Sequence, residues 1–153
     1  MTKLILLRHA KSAWDDPALD DHDRPLNARG RAAAPRIGAW LRGDGHVPDR
    51  ILCSTAARAV ETARRLDFDA PMTTDRALYL APARALLSHR PAPGECLLIV
   101  AHNPGIAEAA ARAVTAPPVH PDFVRYPTAA CLVVDAGAGL PGPALAFAVP
   151  RDL

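Results

Sequence analysis

The sequence predicts an α/β fold, a three-layer α/β/α sandwich with a mostly parallel sheet. Short apolar runs recur along the chain, and helix-like segments lie between them. Apolar runs without alternation are typical of strands covered on both faces, and strands that alternate with helices favour parallel pairing. A chain of 153 residues, half of them apolar, can bury such a core, so we expect one domain over residues 1–153.

Five apolar runs are predicted to form the strands. They are Leu4–Leu7, Arg50–Ser54, Cys96–Ala101, Ala130–Val134 and Ala144–Val149. Each run falls within the usual strand length of about 4 to 8 residues. The Gly- and Pro-rich stretch from 136 to 143 predicts a loop or hairpin before the last run, which we place at the sheet edge.

Four segments between these runs are predicted to be helical. They are Asn27–Arg42, Ser54–Leu66, Pro82–His89 and Pro104–Thr115. The first begins at a residue type suited to N-capping and carries Ile37, Trp40 and Leu41 on one face. Pro35 lies inside it and predicts a shifted or kinked first turn. Two of the others open on proline, which is favoured in the first turn of a helix.

Charge and composition argue against several classes of protein. The net charge is only +2 and the basic residues are dispersed along the sequence, so we expect no nucleic-acid-binding surface. No window approaches the roughly 18 apolar residues of a membrane span. No leader precedes the first apolar run, so we expect a cytoplasmic protein without a membrane partner. The three cysteines are widely spaced, which predicts free thiols, buried at Cys53 and Cys96.

Basic side chains follow three of the predicted strands. Arg8 and His9 come directly after the first run. Arg58 lies in the helix after the second run, and His102 follows the third. Because ligands bind outside the carboxyl ends of parallel strands, neighbouring strands would bring these groups into one crevice. Arginine donors match phosphate oxygens and a neutral histidine can attack phosphorus, so the pattern predicts a phosphate site.

Each of these groups also has an ordinary structural interpretation. An Arg-His pair at a strand end is commonly a surface feature held by ion pairs. Arg58 would be a solvated cation paired with Glu61 three residues later. His102, before Asn-Pro-Gly, is consistent with a simple turn residue. The occurrence of all three at equivalent strand ends favours the functional interpretation.

Four segments resemble motifs of the histidine phosphatase (phosphoglycerate mutase-like) superfamily. They are LILLRHAKSAWDD, with Ala10 in the place of a glycine, RPLNARGRAAA, ILCSTAARAVETA and IVAHNPGI. The motifs occur in the family's order and together cover most of the chain. Within the superfamily, the short length and the pattern LLRHAKSAW…HDRPLN look most like the SixA-type phosphohistidine phosphatases.

The resemblance implies that His9 is a nucleophile that becomes transiently phosphorylated. It also implies that Arg8, Arg58 and His102 hold the phosphoryl oxygens. Backbone N–H groups near Asn103 would assist them, and Ser12 is a further implied phosphate contact. The implied substrate is phosphohistidine on a protein or a small phosphorylated compound. No metal or other cofactor is implied, because arginines supply the positive charge on which phosphoryl transfer depends.

Many relatives carry an acidic residue in the segment that corresponds to residues 75–87, and here Leu80 stands in its place. A general acid contributes about 10² to 10⁴-fold to the rate. Its loss is tolerable if the substrate has a P–N bond, because neutral imidazole is a good leaving group, with an unperturbed conjugate-acid pKa of about 6.5. The alternative is that Asp15, in the loop after the first strand, supplies the acid. We interpret the carboxylates that follow it as a solvated loop: Asp16, Asp20, Asp21 and Asp23.

Two other functions remain open at this point. One is a phosphate-binding or phosphoprotein-binding module of the same fold without turnover, which the presence of the nucleophile argues against. The other is a phosphomonoesterase that acts on a small molecule. A mutase is disfavoured, because the chain lacks room for the insertions that enclose a bisphosphorylated sugar acid.

Overall fold

The computed structural model describes residues 1–153 and is built on a six-stranded sheet. The strands are β1 (Lys3–Arg8), β2 (Arg50–Ser54), β3 (Met72–Asp75), β4 (Cys96–Ala101), β5 (Cys131–Asp135) and β6 (Ala144–Ala148). Their order across the sheet is β3-β2-β4-β1-β5-β6. Strands β1 to β4 are mutually parallel, β5 is antiparallel to β1, and β6 is antiparallel to β5. The predicted α/β class with a mostly parallel sheet is confirmed.

Helices cover both faces of the sheet. They are α1 (Ala28–Gly43), α2 (Ala57–Arg65), α3 (Ala83–Leu87) and α4 (Gly105–Ala113). Apolar residues of α1 and α2 pack on one face, and those of α3 and α4 pack on the other. The Asn27 side chain caps α1 by accepting a hydrogen bond from the Gly30 amide at 3.0 Å, and the helix continues through Pro35. None of the helices is long and apolar enough to cross a membrane.

The centre of β1 explains why its sequence is apolar without alternation. Leu4 and Leu6 pack toward α3 and α4, whereas Ile5 and Leu7 pack toward α1 and α2. All four side chains are fully buried, because helices cover both faces of this central strand.

The three cysteines are free and buried, as predicted for Cys53 and Cys96.

Strand β3 is absent from the sequence-based prediction. Its sequence is MTTD, and both threonines are exposed. The strand lies at the sheet edge and pairs only with β2. An edge strand with little buried area carries no continuous apolar run, so hydrophobic patterning cannot detect it.

The glycines of α1 provide a test of how closely the helix packs. A Cβ atom at Gly38 would lie 2.2 Å from the backbone oxygen of Leu66, whereas nothing lies within 4 Å of a Cβ atom at Gly43. We expect Gly38→Ala to lower the free energy of unfolding by about 2 kcal/mol, within the range for overpacking. Gly43→Ala is the matched control and should raise it by about 0.5 kcal/mol through helix propensity. Urea unfolding measures both, and equal effects would contradict the close approach at Gly38.

Candidate active site

The carboxyl ends of β2, β4 and β1 lie side by side, because these strands are parallel neighbours in register. Residues that follow these ends line a crevice of about 280 Å³. The residues predicted to hold or attack a phosphoryl group are all in its lining: Arg8, His9, Ser12, Arg58, His102 and Asn103. The structure therefore brings these residues together.

The hydrogen bonds of His9 fix which of its two ring nitrogens carries the proton. Its Nδ1 lies 2.8 Å from the carbonyl oxygen of Ala10. A carbonyl oxygen can only accept a hydrogen bond, so Nδ1 carries the ring proton and Nε2 is unprotonated. The Arg58 Nε donates to that Nε2 at 3.4 Å. This is the tautomer in which Nε2 is available as a nucleophile.

Both crevice histidines are neutral near neutral pH. Burial is the main cause that lowers the pKa of His9 to about 3, and the charges of His102, Arg58 and Arg8 lower it further against the opposing hydrogen bond to Ala10. Burial and the charge of Arg58 lower the pKa of His102 to about 4. The desolvated crevice already holds guanidinium groups, so a further positive charge on either imidazole is disfavoured. The His9 lone pair is therefore available across the physiological pH range.

His102 stands beside His9 with its orientation fixed by a hydroxyl. The two ring centroids are 5.1 Å apart. The His102 Nε2 lies 2.8 Å from the Ser54 Oγ, at the carboxyl end of β2. A hydrogen bond across neighbouring strand ends thus locks the second histidine in place.

Arg8 keeps an unused donor in the crevice. Its Nη1 donates to the Tyr126 carbonyl at 3.2 Å, but its Nε is buried without a hydrogen-bond partner. A buried donor left unpaired costs about 1 to 3 kcal/mol, which an oxygen of a bound anion would recover. Asn103 lies beside it, and its Nδ2 donates to the same Tyr126 carbonyl at 3.0 Å. The geometry fits an anion at the end of β1.

Arg58 is buried and pairs with a carboxylate that the sequence did not single out. Its Nη2 donates to Asp21 Oδ2 at 2.9 Å and its Nη1 to the Asp21 backbone oxygen at 2.6 Å. The pairing with Glu61 weighed in the sequence analysis does not form, because Glu61 binds Arg31 and Arg65 instead. Asp21 thus anchors the acidic loop, residues 15–23, to the crevice.

Asp21 is a hydrogen-bond acceptor in this arrangement and not an acid. Partial burial raises its pKa, but hydrogen bonds from Tyr79, Arg24 and Arg58 outweigh this and hold the pKa well below its usual range. The Arg24 guanidinium stacks 3.5 Å from the ring centre of Trp14 and donates to the Ser12 Oγ at 2.8 Å. Arg24 therefore orders both the loop and the serine predicted to contact phosphate.

The structure places Asp15 away from the crevice. Asp15 is exposed and lines a neighbouring groove together with Asn27 and Arg31. No carboxylate lines the crevice itself. The solvated-loop interpretation was wrong for Asp21, and only its position three residues before Arg24 of the RPLN motif distinguishes it from the other aspartates of the loop.

Leu80 stands at the rim of the crevice, where the resemblance implies an acid. Its side chain lines the crevice, and the residue is 54% exposed. The lining thus offers arginines, a lysine and histidines, with nothing that would carry a negative charge. No group of three or more His, Cys, Asp or Glu side chains is placed to hold a metal ion. The arrangement suits a phosphoryl group, whose charge arginines can neutralise.

His9→Gln is expected to make the fold less sensitive to acid. The unfolded chain protonates a histidine near pH 6.5, whereas folded His9 has a pKa of about 3. Wild type therefore loses stability as the pH falls from 6.5 toward 3, because only the unfolded state takes up the proton. Between pH 6.5 and pH 5, wild type should lose about 1.5 kcal/mol more than the variant. Urea unfolding at the two pH values measures this, and equal losses would contradict a buried neutral His9.

Comparisons with known proteins agree with this geometry. Residues 4–79 match the model of the histidine phosphatase superfamily (branch 1). An uncharacterised protein of Mycobacterium tuberculosis is 41% identical over 101 residues, which cover 64% of this chain and 63% of that protein. The chain thus spans less than two thirds of the length of that relative. An uncharacterised protein of Mycobacterium leprae is 34% identical over 140 residues, which cover 84% of this chain and 86% of that protein.

A solved structure from Nakamurella multipartitia shares the whole fold. That protein is described as a candidate phosphohistidine phosphatase SixA, and it superposes with a TM-score of 0.80 at 29% identity. The superposition covers 97% of this chain and 96% of that chain. The family match and the structural likeness agree with the crevice geometry. They show that the chain belongs to the histidine phosphatase superfamily, as a member of the SixA type.

Proposed function

We propose that the protein is a phosphatase that hydrolyses phosphohistidine on a partner protein through a covalent intermediate on His9. The observation that carries the proposal is the neutral imidazole of His9, with its proton on Nδ1 and its Nε2 lone pair, inside a crevice lined by arginines. A module that only binds phosphate has no use for an imidazole prepared in this way. The structure named as a candidate SixA adds support by likeness.

The first step is transfer of the phosphoryl group to His9. The Nε2 lone pair forms a bond to phosphorus while the bond from phosphorus to the substrate nitrogen breaks. The electron pair of the broken bond stays on the departing imidazole. Arg8 and Arg58 neutralise the charge that is spread over the phosphoryl oxygens, with His102 beside them. Both guanidinium groups are already in place, so little reorganisation is needed when charge develops.

The second step is hydrolysis of the phosphorylated His9. A water oxygen attacks phosphorus, the bond to Nε2 breaks, and the electron pair returns to the ring. Inorganic phosphate leaves and the neutral imidazole is regenerated. The hydrogen bond from Nδ1 to Ala10 holds the ring in the same orientation throughout both steps.

The preference for a P–N bond follows from the absence of an acid. No carboxylate lines the crevice, and Asp21 is ionised and engaged with three donors. An alkoxide leaving group would need a proton in the transition state. A phosphohistidine protonated on its other ring nitrogen leaves as neutral imidazole and needs none. The crevice is thus better matched to phosphohistidine than to an alkyl phosphomonoester.

His9→Ala tests the nucleophile. We expect turnover of a histidine-phosphorylated protein to fall by about 10³-fold or more, as when other catalytic nucleophiles are removed. Wild type mixed rapidly with labelled substrate should also show an acid-labile phosphoenzyme that the variant lacks. His89→Ala is the control, since His89 lies outside the crevice. Phosphate binding by wild type without turnover would refute the proposal and favour a binding module.

Leu80→Glu tests the missing acid, with Leu80→Gln as its uncharged match. A carboxyl group at the crevice rim should raise kcat/KM for glycerol phosphate by about 10-fold or more over the Gln variant, because general acids contribute about 10² to 10⁴-fold. Turnover of phosphohistidine should gain far less, since its leaving group needs no proton. Steady-state assays on both substrates measure the ratio, and equal gains would count against a P–N preference.

A further inference from the structure

A second groove opens directly beside the crevice. It encloses about 460 Å³, and Lys11 and Thr128 line both spaces. Three further cations complete its walls: Arg29, Arg36 and Arg151. We call this space the basic groove. The crevice and the basic groove are therefore adjacent on the surface.

The cations of the basic groove are far apart in the sequence. Lys11 follows β1, Arg29 and Arg36 belong to α1, and Arg151 lies in the short turn Pro150–Asp152. The fold gathers these four residues around one groove, a local clustering that their dispersion in the sequence does not reveal.

The basic groove retains most of its positive charge. No carboxylate lines it, and none of the ion pairs of the structure involves Lys11, Arg29 or Arg36. Arg36 does contact the backbone oxygen of Leu153. Arg151 pairs with Asp122, but its own side chain is 69% exposed and that of Asp122 only 11%. A partner therefore meets Lys11 and Arg29 without ion-pair partners, whereas Arg36 and Arg151 each have one contact within the protein.

The spacing of the cations fits an extended anionic chain better than one small anion. Arg29 and Arg36 are seven residues apart on α1, which places them on one face about 10 Å apart along the helix axis. Ala32 and Ala33 lie between them and form a low floor. Lys11 continues the series of cations to the crevice. One phosphate would engage only part of such a row, whereas successive carboxylates of a peptide could engage all of it.

A polypeptide is favoured over a nucleic acid as the occupant. The lining of the basic groove contains no aromatic side chain. Single-stranded nucleic acids are usually held by stacking of bases on aromatic rings as well as by charge. Carboxylates of a peptide need only the cations that the groove provides.

We propose that the basic groove binds an acidic segment of the phosphorylated protein, adjacent to the phosphohistidine held in the crevice. The inference rests on the proposed function and adds a substrate preference to it. Charge complementarity would steer the encounter and hold the flanking chain while His9 reacts. Substrates with glutamate or aspartate next to the phosphohistidine are then hydrolysed more efficiently than neutral ones.

The test uses two synthetic peptides of equal length, each phosphorylated on one central histidine. One carries glutamates on both sides of the histidine and the other carries glutamines. We expect wild type to show a kcat/KM about 10-fold higher for the glutamate peptide at low ionic strength, with the ratio falling as salt screens the charges. Arg29→Glu combined with Arg36→Glu should abolish the preference, mainly through KM.

Matched controls separate local from general charge effects. Arg84→Glu combined with Arg112→Glu makes the same charge change on α3 and α4, on the other face of the sheet. This control should keep the preference. The Arg84→Glu/Arg112→Glu control should also hydrolyse the glutamine peptide within about twofold of wild type, since neither residue lines the crevice or the basic groove.

The outcomes distinguish the two proposals. No turnover of either peptide by wild type would refute the proposed function itself. Equal turnover of both peptides, a preference that survives Arg29→Glu/Arg36→Glu, or an equal loss in the control would overturn the basic groove inference while the phosphatase stands. Inhibition by a single-stranded oligonucleotide that depends on Arg29 and Arg36, without a glutamate preference, would overturn it as well and identify a nucleic-acid surface.

Discussion

The neutrality of one buried imidazole is the constraint around which the site is organised. His9 is 6% exposed and lies beside Arg8 and Arg58, both of which stay charged. Desolvation and these two charges disfavour a proton on Nε2, while the Ala10 carbonyl keeps the other proton on Nδ1. The same surroundings that make the crevice attractive to an anion therefore keep the Nε2 atom of His9, the nucleophile that we propose, unprotonated. A change in the positive charge of the crevice would therefore alter both its attraction for anions and the protonation of His9.

The acidic loop balances this charge without entering the crevice. Asp21 lies where it can accept hydrogen bonds from Arg58, Arg24 and Tyr79, and it is not part of the crevice lining. Arg58 is 3% exposed, and a guanidinium buried to this degree without a partner would be costly in the absence of ligand. The Asp21 pairing satisfies two of its nitrogens and leaves Nε directed at His9. Asp21 thus positions Arg58 and contributes no proton.

Much of the fold was predictable because buried parallel strands have a distinctive composition. The run Leu4–Leu7 is apolar on both faces, and its burial against two helical layers follows directly. The rule that ligands bind at the carboxyl ends of parallel strands then grouped Arg8, His9 and His102 correctly. Strand β3 escaped detection because an exposed edge strand has no comparable pattern.

The polar partners of the site were harder to predict, and the reason is physical. Asp15, Asp20, Asp21 and Asp23 are chemically equivalent in the sequence, and only the path of the loop decides which one reaches Arg58. The basic groove was hidden for the same reason, because Arg29 and Arg151 become neighbours only after the chain has folded. Long-range proximity of charged side chains leaves no periodic trace in a sequence.

The absence of a carboxylate from the crevice has two consequences that act together. A carboxylate at the position of Leu80 would supply a proton to the leaving group, but its ionised form would also reduce the positive potential that attracts a phosphoryl group. Without it, the site gains attraction for anions and loses the ability to protonate an alkoxide. Such a site is best suited to a substrate whose leaving group departs as a stable neutral base. The electrostatics of the crevice and those of the basic groove thus both support the substrate that we propose, a phosphohistidine carried on an acidic polypeptide.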